Sequence, residues 1–288
     1  MPLVDLPIFS SAALILGEAA LKLRTVQGTV TLQSTICENG IFATAILEAA
    51  FLDAGIPYQR RFRESDSVPT SPCVMIGEEL QKSPSSIPDE SFVLHINPLQ
   101  VEALVGSEGD ARNGVLSTVA IAAALAESIE PQGALNRLLR PWSLAGNWLS
   151  DAMEHTYDPV FTVLRDYLAT TGTIRVVPIP EVPAVNLVGL PAIDSVALDA
   201  VRDRWGQLDL EGRAQALSHL IKPQLELETP STARLEELVW HRVMHTGWES
   251  DFASQLADLN ARWRNSGTKQ RVIANETIDK LLRSGQLD

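Results

Sequence analysis

Apolar positions follow two rhythms in the first half of the chain. In TVTLQST (29–35), CVMIGEE (73–79) and FVLHINP (92–98) short β-rich or almost uninterrupted apolar runs predict strands, the latter two buried on both faces of a sheet. PYQRRFR (57–63) alternates apolar with basic residues, as a strand near a sheet edge does. Longer apolar stretches stand between and around them: SSAALILGEAALKL (10–23), IFATAILEAAFLDAG (41–55) and LSTVAIAAALAESI (116–129). These predict helices, the first amphipathic, capped by Ser10 or Ser11 and ending near Gly28. A tight turn at Gly40 joins the first strand to the second helix, the opening of a βαβ unit. SDSVPTSP (65–72), QKSPSSIPDES (81–91) and the acidic GSEGDARNG (106–114) read as loops. The alternation predicts an α/β fold, a mostly parallel sheet flanked by helices.

The rhythm changes after residue 133. ALNRLLRPWSLAGNWLSDAMEH (134–155) and PVFTVLRDYLATT (159–171) read as helical. The Pro-rich TIRVVPIPEVPAVNLVGL (173–190) has room for one strand and an irregular crossover. From about 193 onward the chain reads almost wholly as helix, broken near Gly206, Pro223 and Gly267. The expected organisation is an α/β domain over 1–190 and a helical C-terminal region over 191–288, with LETPST (227–232) the candidate linker.

Composition narrows the function more than the fold. The chain has 288 residues, 45% hydrophobic and 20% charged, ordinary values for a folded soluble protein. A net charge of −13 argues against a protein whose main work is gripping nucleic acid, which needs clustered Lys and Arg. Arg60, Arg61 and Arg63 are the candidate local basic patch, so DNA contact is an expected secondary property at most. Two cysteines, Cys37 and Cys73, are too few for a disulfide framework or a tetrathiolate zinc site and fit reduced, buried thiols in the cytoplasm. Glu18 and Lys22 interrupt the N-terminal apolar run, which reads neither as a signal peptide nor as a membrane span.

Three constellations bear on chemistry. His241 and His245, four apart in WHRVMHTGW, would share one helix face as a metal half-site. Arg242 stands where a zincin motif needs glutamate, and packing against Trp240 and Trp248 is the competing reading. Cys37 with a histidine such as His95 would suggest a thiol nucleophile, against the reading of a small buried hydrophobe. The third is the corner LQSTICENGIFATAIL (32–47), which has the form of a strand end, a glycine and an alanine-rich helix but carries Cys37, Glu38 and Asn39.

LQSTICENGIFATAILEAAFLDAGIPYQRRF resembles the first motif of the DHH phosphoesterases, the RecJ-like superfamily, in which a strand ends in a D-x-D-G corner. The resemblance puts Cys37 and Asn39 at the two aspartate positions, retains Gly40, and puts Thr35 where a histidine often stands. CVMIGEE resembles the second strand, with Ile76 and Gly77 near its metal-binding aspartate. FVLHINP resembles the strand of the Asp-His-His signature, read here as Leu94, His95 and Ile96 with only the central histidine kept. LSTVAIAAALAE matches the helix that follows, and SLAGNWLSD resembles a later Gly-x-x-x-Asp stretch that keeps Asp151. The resemblance covers roughly residues 10 to 165; the C-terminal DHHA-type domain has no visible counterpart.

What the resemblance implies is a fold kept without its metals. Two divalent cations need several anionic oxygen ligands. Asn39 offers one neutral oxygen, Cys37 a sulfur poorly suited to manganese or magnesium, and Leu94, Ile96 and Ile76 nothing. The expectation is a pseudoenzyme with no bound metal or cofactor and no catalytic residue, in which Cys37, Asn39, Leu94, His95, Ile96 and Asp151 are vestigial site positions. Within the superfamily this is similar to the nuclease-inactive, RecJ-related subunit of archaeal and eukaryotic replicative helicases. The implied partners are therefore the GINS complex and the MCM helicase. The alternative is a divergent metal-dependent phosphodiesterase or single-strand exonuclease with ligands drawn from Glu38, Asp66, Glu78, Glu79 and Asp110. A third reading is an α/β protein unrelated to that superfamily. Trp240, Trp248 and Trp263 are the aromatic candidates for an interface, against a place in the helical core.

Overall fold

A computed structural model describes residues 2–63, 70–83, 92–105 and 111–287. Its first half runs α1 (Ala13–Thr25), β1 (Val30–Thr35), α2 (Glu38–Ala54), β2 (Tyr58–Arg63), β3 (Cys73–Ile76), β4 (Val93–Ile96), β5 (Leu99–Val105), β6 (Ala111–Leu116) and α3 (Thr118–Ile129). There follow α4 (Ala134–Leu139), α5 (Ala145–Leu149), α6 (Ala152–His155), α7 (Pro159–Thr170), β7 (Arg175–Val177) and α8 (Ser195–Trp205). The chain closes with α9 (Leu210–Ile221), α10 (Thr232–Val239), β8 (Arg242–Met244), α11 (Phe252–Arg264) and α12 (Gln270–Ser284).

The fold is α/β. Strands β2-β1-β3-β4 form one sheet in which every pair is parallel. β1 lies inside it, and its first five residues are buried, which is why Val30, Thr31 and Leu32 read as a short β-rich run. In β4, Leu94 and Ile96 are buried while His95, on the opposite face, is exposed. Helix α2 is buried from Gly40 to Phe51 and packs against β1, α3, α4 and α12. A helix apolar all round needs neighbours on every side. The alanines of α3, capped by Ser117 Oγ at 3.2 Å from the Ala120 amide, give α2 a close neighbour.

The chain divides into two compact units. The first holds residues 1–150, 158–167 and 266–287; the second holds 151–157 and 168–265. The expected division at 190/191 follows chain order, whereas these units interleave, with α12 joining the first unit from the far end of the chain. Within the first unit Arg60 binds Glu48 of α2 and, from α12, Asn275 and Asp279. Within the second, β7 pairs antiparallel with β8, and Asp251 caps α11.

Several expectations need correction. Ser10 and Ser11 do not cap α1, whose N-cap is Ala12 with no side-chain bond. Residues 111–114 belong to strand β6, paired antiparallel with β5 around a bulge between Glu102 and Leu104, not to a loop. Arg112, Asn113 and Gly114 carry little β-propensity, so the partner strand decides their state. β8 interrupts what reads as helix near 242. Residues 227–232 are no linker: they lie inside the second unit, where Gln224 Nε2 donates to the Thr229 carbonyl at 3.0 Å and Ser231 caps α10.

Candidate functional site

The corner after β1 begins with Cys37, an extended residue that serves as the N-cap of α2. Its Sγ accepts from the Gly40 amide at 3.3 Å and lies 3.3 Å from Thr35 Oγ1. Gly40 makes no turn. It sits in the first helical turn, where a Cβ would come within 2.3 Å of Ser34 Oγ and 2.5 Å of the Thr35 carbonyl oxygen. Close approach of helix to strand, and not a left-handed backbone, requires glycine here. Gly40→Ala is expected to cost about 1–3 kcal/mol, because the backbone carbonyl has to move. A shift in the urea midpoint measures it.

In the first turn of α2, Asn39 Nδ2 donates to Glu78 Oε1 at 3.1 Å, tying the corner to the segment after β3. Asn39 Oδ1 is buried without a hydrogen-bond partner. Gly77 precedes Glu78, and its carbonyl accepts from Thr118 Oγ1 at 2.8 Å, linking the corner to the N-terminus of α3. There Asn147 of α5 accepts from the Ser117 amide and donates to Asp158 at 2.9 Å. Asp158 in turn accepts from the Val160 amide at the start of α7. The carboxyl end of the sheet is thus backed by a connected polar network, whose members hold one another in place.

Burial pushes the Cys37 thiol up to about 12, and the Glu78 carboxylate adds to the rise against the opposing hydrogen bonds from Thr35 and Gly40. At pH 8 only about one such thiol in ten thousand is ionised, so it is a poor nucleophile and a poor metal ligand. Slow labelling by a disulfide reagent in native protein, and fast labelling in denaturant, is the expected result. The raised value also means that stability from the neutral thiol is present below 9.0 and lost as pH rises through about 12.

The six positions that the resemblance singles out differ in their surroundings. Cys37 and Asn39 share the corner with Glu78. Leu94 and Ile96 are core residues, 2% and 1% exposed. His95 is exposed on the other face of β4, and Asp151 is exposed at the start of α6 in the second unit. Ile76 is buried. A neutral thiol, an amide already bonded to a carboxylate and two packed aliphatic side chains do not fit a pair of divalent cations. Among the described residues no three His, Cys, Asp or Glu side chains cluster as metal ligands. Of the alternative ligands, Glu79 is exposed, Glu38 lies in the first turn of α2, and Asp66 and Asp110 lie outside the described residues.

The other constellations separate. His241 and His245 flank β8 and lie on no helix, so residues four apart stand about 13 Å apart along the strand. His241 Nδ1 is 3.2 Å from Glu237 Oε1, and His245 Nδ1 is 2.7 Å from the Thr173 carbonyl. His245 meets Trp248 edge-on with ring centroids 5.6 Å apart, the packing alternative. Trp248 is buried, while Trp240 and Trp263 are half-buried. The basic patch loses Arg60 to its carboxylate partners, and Arg61 donates to Gln59. The Asn39–Glu78 bond joins residues 39 positions apart, and the only sequence signal for it was the acidic pair after CVMIG.

Fold and corner together define an α/β protein on a four-stranded parallel sheet, whose carboxyl end presents a neutral thiol and an amide–carboxylate pair. No family model matches the chain, and no curated protein matches it.

Proposed function

We propose that the chain is a catalytically emptied DHH-like protein of the cytoplasm that works as a scaffold in the DNA replication machinery, binding GINS and supporting the MCM helicase. The observation that carries the emptied-site part is the corner itself. Where the DHH pattern supplies two aspartates, Cys37 is neutral and spends its sulfur capping α2, and Asn39 is bound to Glu78. The interior, parallel position of β1 and the helix that follows it suit the DHH pattern. The named partners come from the resemblance alone. Among the described residues no helix is long and apolar enough to cross a membrane.

Co-purification tests the partner assignment. Tagged chain incubated with native extract at mild salt is expected to retain GINS or MCM subunits, identified by mass spectrometry. Recovery of neither contradicts it. One observation favours a second reading: Asn39 and Glu78 bring an amide and a carboxylate together at the carboxyl end of the sheet, where ligands of open α/β sheets bind. A divergent phosphodiesterase with a rearranged metal site would use such oxygens.

A further inference from the structure

One cavity lies wholly within the second unit. A groove of about 370 Å³ runs between the end of α9 with the turn after it and helix α10. Ile221, Leu225 and Leu235 make its apolar walls, and Trp240 and His241 border it. Glu236 lines it too, one turn before Trp240, the residue that closes α10, so both border one space. Tyr157 donates its hydroxyl proton to Glu236, fixing the carboxylate beside the groove. Leu225, on the groove wall, is 59% exposed, and Leu227, two residues further along the chain, is 45% exposed.

Charge tells what covers it. Glu236 is the one formally charged residue among the lining side chains, and the chain running on from Leu225 reads Glu226, Leu227, Glu228 with both glutamates exposed. Lys222 precedes this stretch, and Arg234 of α10 is bound to Glu154, in a chain of net charge −13. An apolar floor with an acidic rim complements a large apolar side chain carried beside Lys or Arg, whose cation the Trp240 face and the Glu236 carboxylate both attract. The groove is open along one side, so a small molecule would remain largely in water, whereas a peptide segment seats its anchor and passes on.

We propose that this groove docks a basic segment of a partner protein, through a large apolar residue neighbouring a lysine or arginine. The inference needs only the second unit and is independent of the replication reading. Failure of the peptides with GINS or MCM recovered would sink the groove and leave the scaffold, and the reverse pattern would do the opposite.

The test is selection of a random 12-residue peptide library on the full-length chain, with binding of the selected peptides measured by fluorescence anisotropy. The expected consensus pairs Phe, Trp, Leu or Met with Lys or Arg. Leu225→Glu, at an exposed position, is expected to weaken binding at least tenfold, and Glu236→Gln about tenfold with a flatter salt dependence. Circular dichroism melts of both variants that match the wild type exclude misfolding. No enrichment, an acidic consensus, or binding unchanged in both variants overturns the proposal. So does a dimer in sedimentation equilibrium that Leu225→Glu dissociates, because a second copy would then be the occupant.

Discussion

Arg60→Ala is expected to destabilise the protein by about 3–5 kcal/mol, the range for leaving one charge of a buried pair uncompensated. Glu48 sits in the middle of α2 and is 1% exposed, so its carboxylate has little water to turn to. Arg60 answers it from β2 with two hydrogen bonds, Nε to Oε1 at 2.5 Å and Nη2 to Oε2 at 2.7 Å. Tyr58 adds a third at 3.0 Å, and the same guanidinium reaches Asn275 and Asp279 of α12, each at 2.9 Å. One side chain therefore closes the edge strand, the central helix and the last helix on one another. Burial, then the Glu48 charge, raises the Tyr58 phenol, so that its contribution is lost as pH climbs past 10. Arg60→Lys keeps the charge without the two-pronged geometry and is expected to lose less than alanine does. Denaturant unfolding read by Trp142, which stacks on Phe42 of α2 at 5.3 Å, measures the loss. A change below 1 kcal/mol for Arg60→Ala would remove the clamp from the account.

The second large effect is expected at Asp251, which is fully buried. It accepts from the Ala253 and Ser254 amides at 2.9 and 3.1 Å, and from Arg242 Nη1 at 2.9 Å. Arg242, 1% exposed, also donates to the Leu238 carbonyl at 2.5 Å. Asp251→Ala removes the cap of α11, worth about 1 kcal/mol, and strands a buried guanidinium, worth about 3–5 kcal/mol. Asp251→Asn preserves an accepting oxygen for the cap and is expected to fall between alanine and wild type. Hydrogen exchange followed by mass spectrometry should show the amides of 252–264 opening far sooner in the alanine variant. Unchanged protection there would mean that the pair does not hold α11.

Much of the sheet was legible because β1 is buried on both faces and β3 nearly so, while β4 still buries Leu94 and Ile96 on one face and exposes His95 on the other. The runs that became β1, β3 and β4 needed no partner to be recognised, and the alanine-rich α2 and α3 announced helices packed at close quarters. The breaks near Gly206, Pro223 and Gly267 also fell between helices, as punctuating residues do. The hairpin of β5 and β6 was illegible for the opposite reason, since Arg112, Asn113 and Gly114 are strand only because Leu104, Glu102 and Val101 lie opposite them. β8 is three residues long, too short to impose a period of its own. The helical reading of 241–245 failed with it, and the metal half-site went too.

At the candidate site, chemistry was readable and placement was not. That Cys37 and Asn39 stand at a strand-to-helix corner follows from the local run of residues. That Gly40 serves close approach and that Asn39 meets Glu78 depend on contacts the local sequence does not contain. The docking groove was visible only as Trp240, because Ile221 and Leu225 gain meaning from the helix that faces them.

The most direct measurement of the emptied-site claim is manganese-dependent hydrolysis of single-stranded DNA by the purified chain, with Asp151→Ala assayed beside it. The expected result is release of nucleotides no faster than buffer alone for both proteins, with no stoichiometric manganese bound. Turnover by the wild type that Asp151→Ala abolishes, accompanied by bound manganese, would contradict the account and return the chain to the phosphodiesterases.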